Sequence, residues 1–247
     1  MAGTLYLVPN LLGLVAPEQV LPAHTLETAR RLAHWVVETP KAARAFLRTI
    51  GVARPIVELD IQALPADAEA SDCRALLAPA LRGDDMGFLS DAGCPGVADP
   101  GAGLVAAAHA AGLRVVPLVG PSALLLGLMA AGMNGQRFAF HGYLPIKPDA
   151  RARALAALEQ ASRAQDCTQI FIETPYRNAA MIATLGEALQ ETTVVCVAVD
   201  LTLATESIER RSAREWRGVD GARYDKRPAL FLLQALAGSE RSDKRAR

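Results

Sequence analysis

The chain has 247 residues, 51% apolar and 21% charged, and its 26 basic and 26 acidic side chains cancel to a formal net charge of zero. This is the composition of a folded globule and leaves no case for a disordered or fibrous protein. A neutral chain carries no global field for nucleic acid, so any such partner has to be met by a local basic patch.

Residues 5–9 read as a short apolar strand that ends at a Pro-Asn turn, and residues 25–37 set Leu26, Ala29, Ala33 and Val36 on one helical face. A second strand is expected at 35–38. Thr39 is placed to cap the next helix, with Pro40 at its first position and Gly51 stopping it after Ile50. There follow a strand at 56–59, a helix at 72–81, a strand at 86–89, a loop, a helix at 102–111 and a strand at 114–118. This alternation predicts an α/β fold with a mainly parallel sheet covered by helices on both faces. Around Gly120-Pro121-Ser122 the order restarts, with Ser122 placed to cap an apolar helix at 123–131 that Gly132 ends. The second half reads as a strand at 137–140, a basic loop and helix over 143–164, a strand at 169–173, a helix at 176–189 and a strand at 193–199. Strands near 206–210 and 229–233 complete it without a long helix between them, which predicts a mixed or antiparallel sheet. Two α/β domains are therefore expected, at 1–119 and 120–238, with a polar tail at 239–247.

The loop at 89–101, Leu-Ser-Asp-Ala-Gly-Cys-Pro-Gly-Val-Ala-Asp-Pro-Gly, is longer than the roughly 2–6 residues of an ordinary βα turn. It lies where α/β sheets place small-molecule sites. Gly93, Gly96 and Gly101 let the backbone approach a ligand or take positive φ, while Pro95 and Pro100 restrict the loop and reduce the entropy lost on binding.

Other chemistries find little support. Pro9 to Leu14 contains neither G-x-G-x-x-G nor G-x-x-x-x-G-K-[ST], which argues against Rossmann dehydrogenases and P-loop enzymes. Gly120-Pro121-Ser122-Ala123-Leu124 lacks the final glycine that a strained hydrolase nucleophile turn requires. His24, His34, His109 and His141 have no metal-ligand spacing, and Cys73, Cys94, Cys167 and Cys196 form no C-x-x-C pair, so no metal site or redox dithiol is expected. Reduced thiols, no apolar run of about 18 residues and no secretory n-region predict a soluble, cytoplasmic protein.

In order and spacing, Leu5-Tyr-Leu-Val-Pro, the loop 89–101, Val116-Pro-Leu-Val-Gly-Pro-Ser-Ala, Gly142-Tyr-Leu-Pro-Ile-Lys and Glu173-Thr-Pro-Tyr-Arg resemble the tetrapyrrole methylase superfamily. Within it they resemble the ribosomal RNA small-subunit methyltransferase I type, and the likeness runs from residue 3 to about 235. The resemblance implies S-adenosylmethionine in a cleft between two α/β domains, a homodimer, and methylation of a ribose 2′-hydroxyl of 16S rRNA. It places cofactor contacts at Pro9, Ser90, Asp91, Ala92, Gly93, Val97, Ser122, Ala123, Glu173, Thr174, Pro228 and Ala229. Asp91 reads either as a holder of an ammonium or hydroxyl or as a loop-bracing aspartate. The ribose hydroxyl must lose a proton, and the likeness sets Glu38, Asp200 and Glu206 near the site, with Lys147 and Tyr176 as further polar candidates. For each of them a solvated or structural role competes with catalysis. Lys147, Arg151 and Arg153 form a short basic stretch suited to phosphates or to a solvated helix face.

Three segments depart from the family pattern. Glu38-Thr39-Pro40-Lys41 stands where Glu-Asp-Thr-Arg is usual, Asp200-Leu201-Thr202-Leu203 stands where Glu-Leu-Thr-Lys is usual, and Asn10-Leu11-Leu12-Gly13 replaces Thr-Pro-Ile-Gly-Asn. These changes lie more on the acceptor side than in the cofactor loops. A tetrapyrrole or other small acceptor is the alternative substrate, and a cofactor-binding regulatory protein without turnover is the rival from another class.

Overall fold

The structure is a computed structural model in which residues 2–235 are described; the polar tail expected at 239–247 lies outside them. The chain divides into two compact units, Met1–Ser122 and Ala123–Arg247.

The first unit alternates β1 (Thr4–Leu7), α1 (Ala23–Arg31), β2 (His34–Val37), α2 (Pro40–Ile50), β3 (Asp60–Ala63), α3 (Ala70–Leu76), α4 (Ala78–Arg82), β4 (Met86–Leu89), α5 (Ala102–Ala110) and β5 (Arg114–Pro117). Its five strands are all parallel, in the order β3-β2-β4-β1-β5. Successive side chains of a strand face opposite sides, and both faces of the central strands are buried. Trp35 and Val37 pack with Leu26 and Ala29 of α1 and Phe46, Leu47 and Ile50 of α2. Val36, Met86 and Phe88 pack on the other face with Cys73 of α3, Ala80 of α4 and Leu104 and Ala108 of α5. Two buried faces explain why β2 and β4 read as continuous apolar runs. The connection leaving β1 thus runs over one face and the connection leaving β4 over the other, although the two strands are neighbours. That divergence opens a crevice at their carboxyl ends, the position at which open α/β sheets bind ligands.

The second unit holds α6 (Ala123–Ala131), β6 (Phe138–Tyr143), α7 (Pro148–Gln165), β7 (Thr168–Glu173), α8 (Asn178–Ala188), β8 (Val194–Val199), β9 (Ser207–Ser212), α9 (Ala213–Trp216) and β10 (Ala229–Gln234). The sheet order is β6-β7-β10-β8-β9, with only the β6–β7 pair parallel. One face buries Phe171, Val195, Val197, Phe231 and Leu233 against Leu155 of α7, Met181, Ile182 and Leu185 of α8, and Trp216 of α9. Phe171 and Phe231 stack across the β7–β10 ladder with centroids 5.5 Å apart. An α/β fold with one parallel and one mixed sheet agrees with the reading of the sequence.

Several boundaries moved. The helix expected at 25–37 stops at Arg31, because Leu32 is already extended and residues 34–37 are held in ladders to both β3 and β4. Tertiary pairing overrides the helical spacing of Ala33 and Val36. The strand expected at 56–59 is a 3-10 turn at Ile56–Glu58, and β3 begins at Asp60. Ile56 is apolar because it packs against the core beneath the turn, whereas the edge strand is half exposed and lacks an apolar signature. The helix expected at 72–81 is two helices, with Pro79 in the first turn of the second. The helix expected over 143–164 begins at Pro148 because β6 extends to Tyr143. The helix expected at 176–189 begins at Asn178 behind a 3-10 turn, Pro175–Arg177.

Candidate active site

At the crevice of the first unit, the chain leaving β1 is tied to the loop leaving β4. Asn10, which is buried, donates from its backbone N–H to the Gly93 carbonyl at 2.8 Å and from Nδ2 to the carbonyls of Ser90 and Asp91 at 3.0 Å each. Its Oδ1 accepts from the Leu11 N–H at 2.8 Å. One amide side chain therefore fixes the first turns of both segments. The position had been singled out only as a departure from the family pattern; a buried asparagine directly after a strand was the signal.

The end of β2 adds a second brace. Glu38 Oε2 accepts from the Asp91 N–H at 3.0 Å, while Asp91 accepts from the Thr39 N–H at 3.2 Å and from Thr39 Oγ1 at 2.7 Å. Asp91 is thus a loop brace, and Thr39 spends its hydroxyl on it instead of capping α2. The same bond gives Glu38 a structural role. The loop itself turns through left-handed backbone at Gly93, Gly96, Ala98 and Gly101. At Gly101, with φ of 128°, a Cβ would lie 2.2 Å from the Phe88 ring, so only glycine fits. Pro9 and Ser90 are buried, Ala92 and Val97 are exposed on the loop, and Ser122 is buried at the end of the segment that follows β5. Gly120 seats that segment on Pro9, because a Cβ there would approach the Pro9 Cβ to 2.4 Å. Pro9, the loop and Gly120–Ser122 therefore meet at one edge of the parallel sheet; Ala123 is the first residue of α6.

Asp99 was not among the residues expected from the sequence. Burial, reinforced by the charges of Glu38 and Asp91 and opposed by a hydrogen bond from Ser90, pushes its carboxyl up to about 6. Only the folded loop brings the three carboxylates close enough for this, so no spacing in the chain could have flagged it.

In the second unit, the ladder pairs Ala229 of β10 with Glu173 of β7 on one side and with Val199 of β8 on the other. This register gathers Glu173, Thr174, Pro228, Ala229 and Asp200 at one end of the sheet. The Glu173 side chain is fully buried: Oε1 accepts from the Thr174 N–H at 2.6 Å and from Arg177 Nε at 2.9 Å, while Oε2 has no partner among the described residues. Asp200, at φ of 51°, accepts at Oδ2 from Thr205 Oγ1 and from Arg227 Nε, both at 2.8 Å. Glu206 Oε2 accepts from the Thr202 N–H at 2.8 Å. Both carboxylates therefore brace the turn after β8. Lys147 and Tyr176 are exposed. Arg151 is buried and donates from Nε to Thr184 Oγ1 at 3.0 Å, which removes it from the basic stretch and leaves Lys147 and Arg153 at the surface.

The donor set fits S-adenosylmethionine. An orphaned buried carboxylate oxygen calls for an N–H or O–H donor, which the amine and ribose hydroxyls of the cofactor provide, and glycines at positive φ expose backbone amides and carbonyls to its polar edges.

No family model matches the chain. It is similar to solved structures that share its fold: the methyltransferase CobJ, at a TM-score of 0.62 and 19% identity with 95% of each chain covered, and a conserved hypothetical protein of Aeropyrum pernix K1, at 0.67 and 15% identity with 96% of this chain and 86% of that one covered. Among curated proteins, the ribosomal RNA small subunit methyltransferase I of Xylella fastidiosa (strain Temecula1) is 34% identical over 206 residues, covering 83% of this chain and 71% of that protein. The protein of the same description from Escherichia coli O157:H7 is 33% identical over 206 residues, covering 83% and 68%. This extent of shared sequence, over a fold with two sheets of the kind expected, establishes that the chain belongs to the ribosomal RNA small subunit methyltransferase I family and is an S-adenosylmethionine-dependent methyltransferase.

Proposed function

We propose that the chain methylates RNA of the small ribosomal subunit at a ribose 2′-hydroxyl, as a cytoplasmic homodimer. The observation that carries this reading is the 34% identity over 206 residues to a ribosomal RNA small subunit methyltransferase I. When bound, the cofactor supplies a methyl group on a sulfonium, and direct displacement at that carbon needs the nucleophile aligned about 3 Å away in a dry site. In this reading the chain contributes placement above all. Asn10 and the Glu38–Asp91–Thr39 brace hold the loop so that the backbone of residues 90–93 faces the cofactor, with Val97, Ser122 and Ala123 completing that set. In the second unit Glu173 Oε2 accepts from a cofactor donor, and Thr174, Pro228 and Ala229 offer backbone groups beside it. Glu38, Asp200 and Glu206 already accept hydrogen bonds within their own loops, so positioning is favoured over a dedicated carboxylate base at those three residues.

Transfer of a radiolabelled methyl group to small subunits lacking the modification tests the acceptor. Label in the ribose of 16S rRNA is the expected outcome; cofactor binding without transfer to any RNA would overturn it. Gly93→Leu, at a position with φ of 65° and Leu12 Cδ2 3.3 Å from the new Cβ, is expected to lower cofactor affinity in calorimetry, and unchanged affinity would contradict the loop's role.

A further inference from the structure

Strand β6 lies at the edge of the second sheet, and its register with β7 pairs Phe138 with Thr168, Phe140 with Ile170 and Tyr143 with Ile172. Residues 168, 170 and 172 share one face of β7, so the three aromatic residues share that face of β6. Uninterrupted alternation would have put Gly142 in the third place. An irregularity between Phe140 and Tyr143, with Gly142 at φ of 64°, shifts the register and sets Tyr143 there instead. Bulges of this kind re-aim a side chain at a sheet edge.

The face is identifiable. Ile170 is also paired with Leu232 of β10, and Leu232 lies under α6, where Gly127 permits close approach. Helix α6 packs over β10 and β9. Beyond it, on the same face, Phe138 is 46% exposed and Tyr143 60% exposed, with half-buried Phe140 between them. In a chain only 5% aromatic, rings left in solvent along one edge are not explained by core packing. Cations flank the strand: Arg137 immediately precedes it and Lys147 follows four residues after Tyr143. Both are exposed, and neither forms an ion pair among the described residues.

We infer that Phe138, Phe140 and Tyr143 form a stacking strip for unpaired bases of single-stranded RNA, with Arg137 and Lys147 meeting the adjoining phosphates. Side chains two apart on a strand stand roughly 6.6 Å from one another, close enough to seat successive bases, and every base offers a π-face. A formally neutral protein has no general attraction for polyanions, so two unpaired cations beside three rings supply the local patch that RNA requires. The inference rests on an RNA acceptor and adds which surface takes hold of it.

The test uses the full chain and fluorescein-labelled oligoribonucleotides tiled across 16S rRNA, read by anisotropy. Phe138→Ala with Tyr143→Ala is expected to weaken binding of at least one oligonucleotide by roughly tenfold or more. Phe138→Trp with Tyr143→Trp should retain the affinity. S-adenosylmethionine affinity and thermal midpoint should be unchanged in both, since the rings are exposed. Arg137→Gln with Lys147→Gln should flatten the salt dependence of binding by a log–log slope of about 1. Undiminished RNA affinity in the double alanine variant would overturn the strip while leaving the acceptor reading standing. Loss of affinity that only follows a shift from dimer to monomer in sedimentation would overturn it in favour of a second copy of the chain on this face. If the unaltered protein neither binds nor methylates any RNA, the acceptor reading fails and the strip fails with it.

Discussion

The two units build their candidate site edges by different means. In the first, every strand is parallel, so all carboxyl ends emerge on one edge, and the loops there are tied by neutral or singly charged hydrogen bonds: Asn10 to three loop carbonyls, Glu38 to the Asp91 amide, Thr39 to the Asp91 carboxylate. In the second, the sheet is mixed, so the corresponding edge combines the ends of β7 and β8 with the start of β10, and ion pairs hold it: Glu173 with Arg177, and Asp200 with Arg227. A parallel edge gathers loops of one kind and needs mainly backbone-directed amides to fix them. A mixed edge brings together segments running in opposite directions, and here charged side chains span them.

Four substitutions test that contrast. The largest effect is expected from Gly101→Val, which adds a Cβ 2.2 Å from the Phe88 ring at a left-handed position; a loss of ~3 kcal/mol or more should appear in denaturant unfolding, and a smaller loss would mean that the loop can move off the sheet. Asn10→Ala removes the tie between the β1 and β4 loops and leaves buried carbonyls unpaired, so stability should fall by about 2–3 kcal/mol, with cofactor affinity falling alongside. Retained affinity would show that the brace is not what presents the loop.

On the mixed edge, Glu173→Gln keeps the shape but removes the charge that Arg177 meets. Calorimetry should show cofactor binding weakened by about 1.5–3 kcal/mol, the range of a hydrogen bond to a charged group, with the thermal midpoint little changed. A drop in midpoint without a change in affinity would make Glu173 structural only. The smallest effect has the opposite sign. The Asp99 carboxyl is pushed up to about 6 from an ordinary 3.8, so the folded protein holds that proton more tightly than the unfolded chain does. The stabilisation is fully present below about pH 4 and is lost as pH rises through 6. Asp99→Asn should therefore raise the midpoint at pH 7, by roughly 1 kcal/mol after allowance for solvent screening, and flatten the decline between pH 4 and 6. An unchanged pH profile would place Asp99 away from the Glu38 and Asp91 charges.

Much of this was legible along the chain. Apolar runs bounded by turn residues located β4 at residues 86–89, and Gly93, Gly96 and Gly101 marked a loop whose backbone does take left-handed conformations. The run of late strands without helices announced a sheet that is not all parallel. Boundaries slipped where local signals and sheet pairing disagreed, as at Ala33 and at Ile56. Roles slipped where a carboxylate had two plausible uses. Asp91, Asp200 and Glu206 look alike as sequence, yet the folded chain hands each of them a donor from its own surroundings.

By itself, the sequence determined the periodicities, the glycines and prolines that punctuate them, and the motifs that identify the family, because these are properties of neighbouring residues. Tertiary structure decided which strands became neighbours, that Asn10 would bind the loop some eighty residues downstream, that Asp99 would share its surroundings with Glu38 and Asp91, and that Tyr143 instead of Gly142 would face outward beside Phe138. Those outcomes depend on register and on burial, which exist only once distant segments are paired and water is excluded from between them.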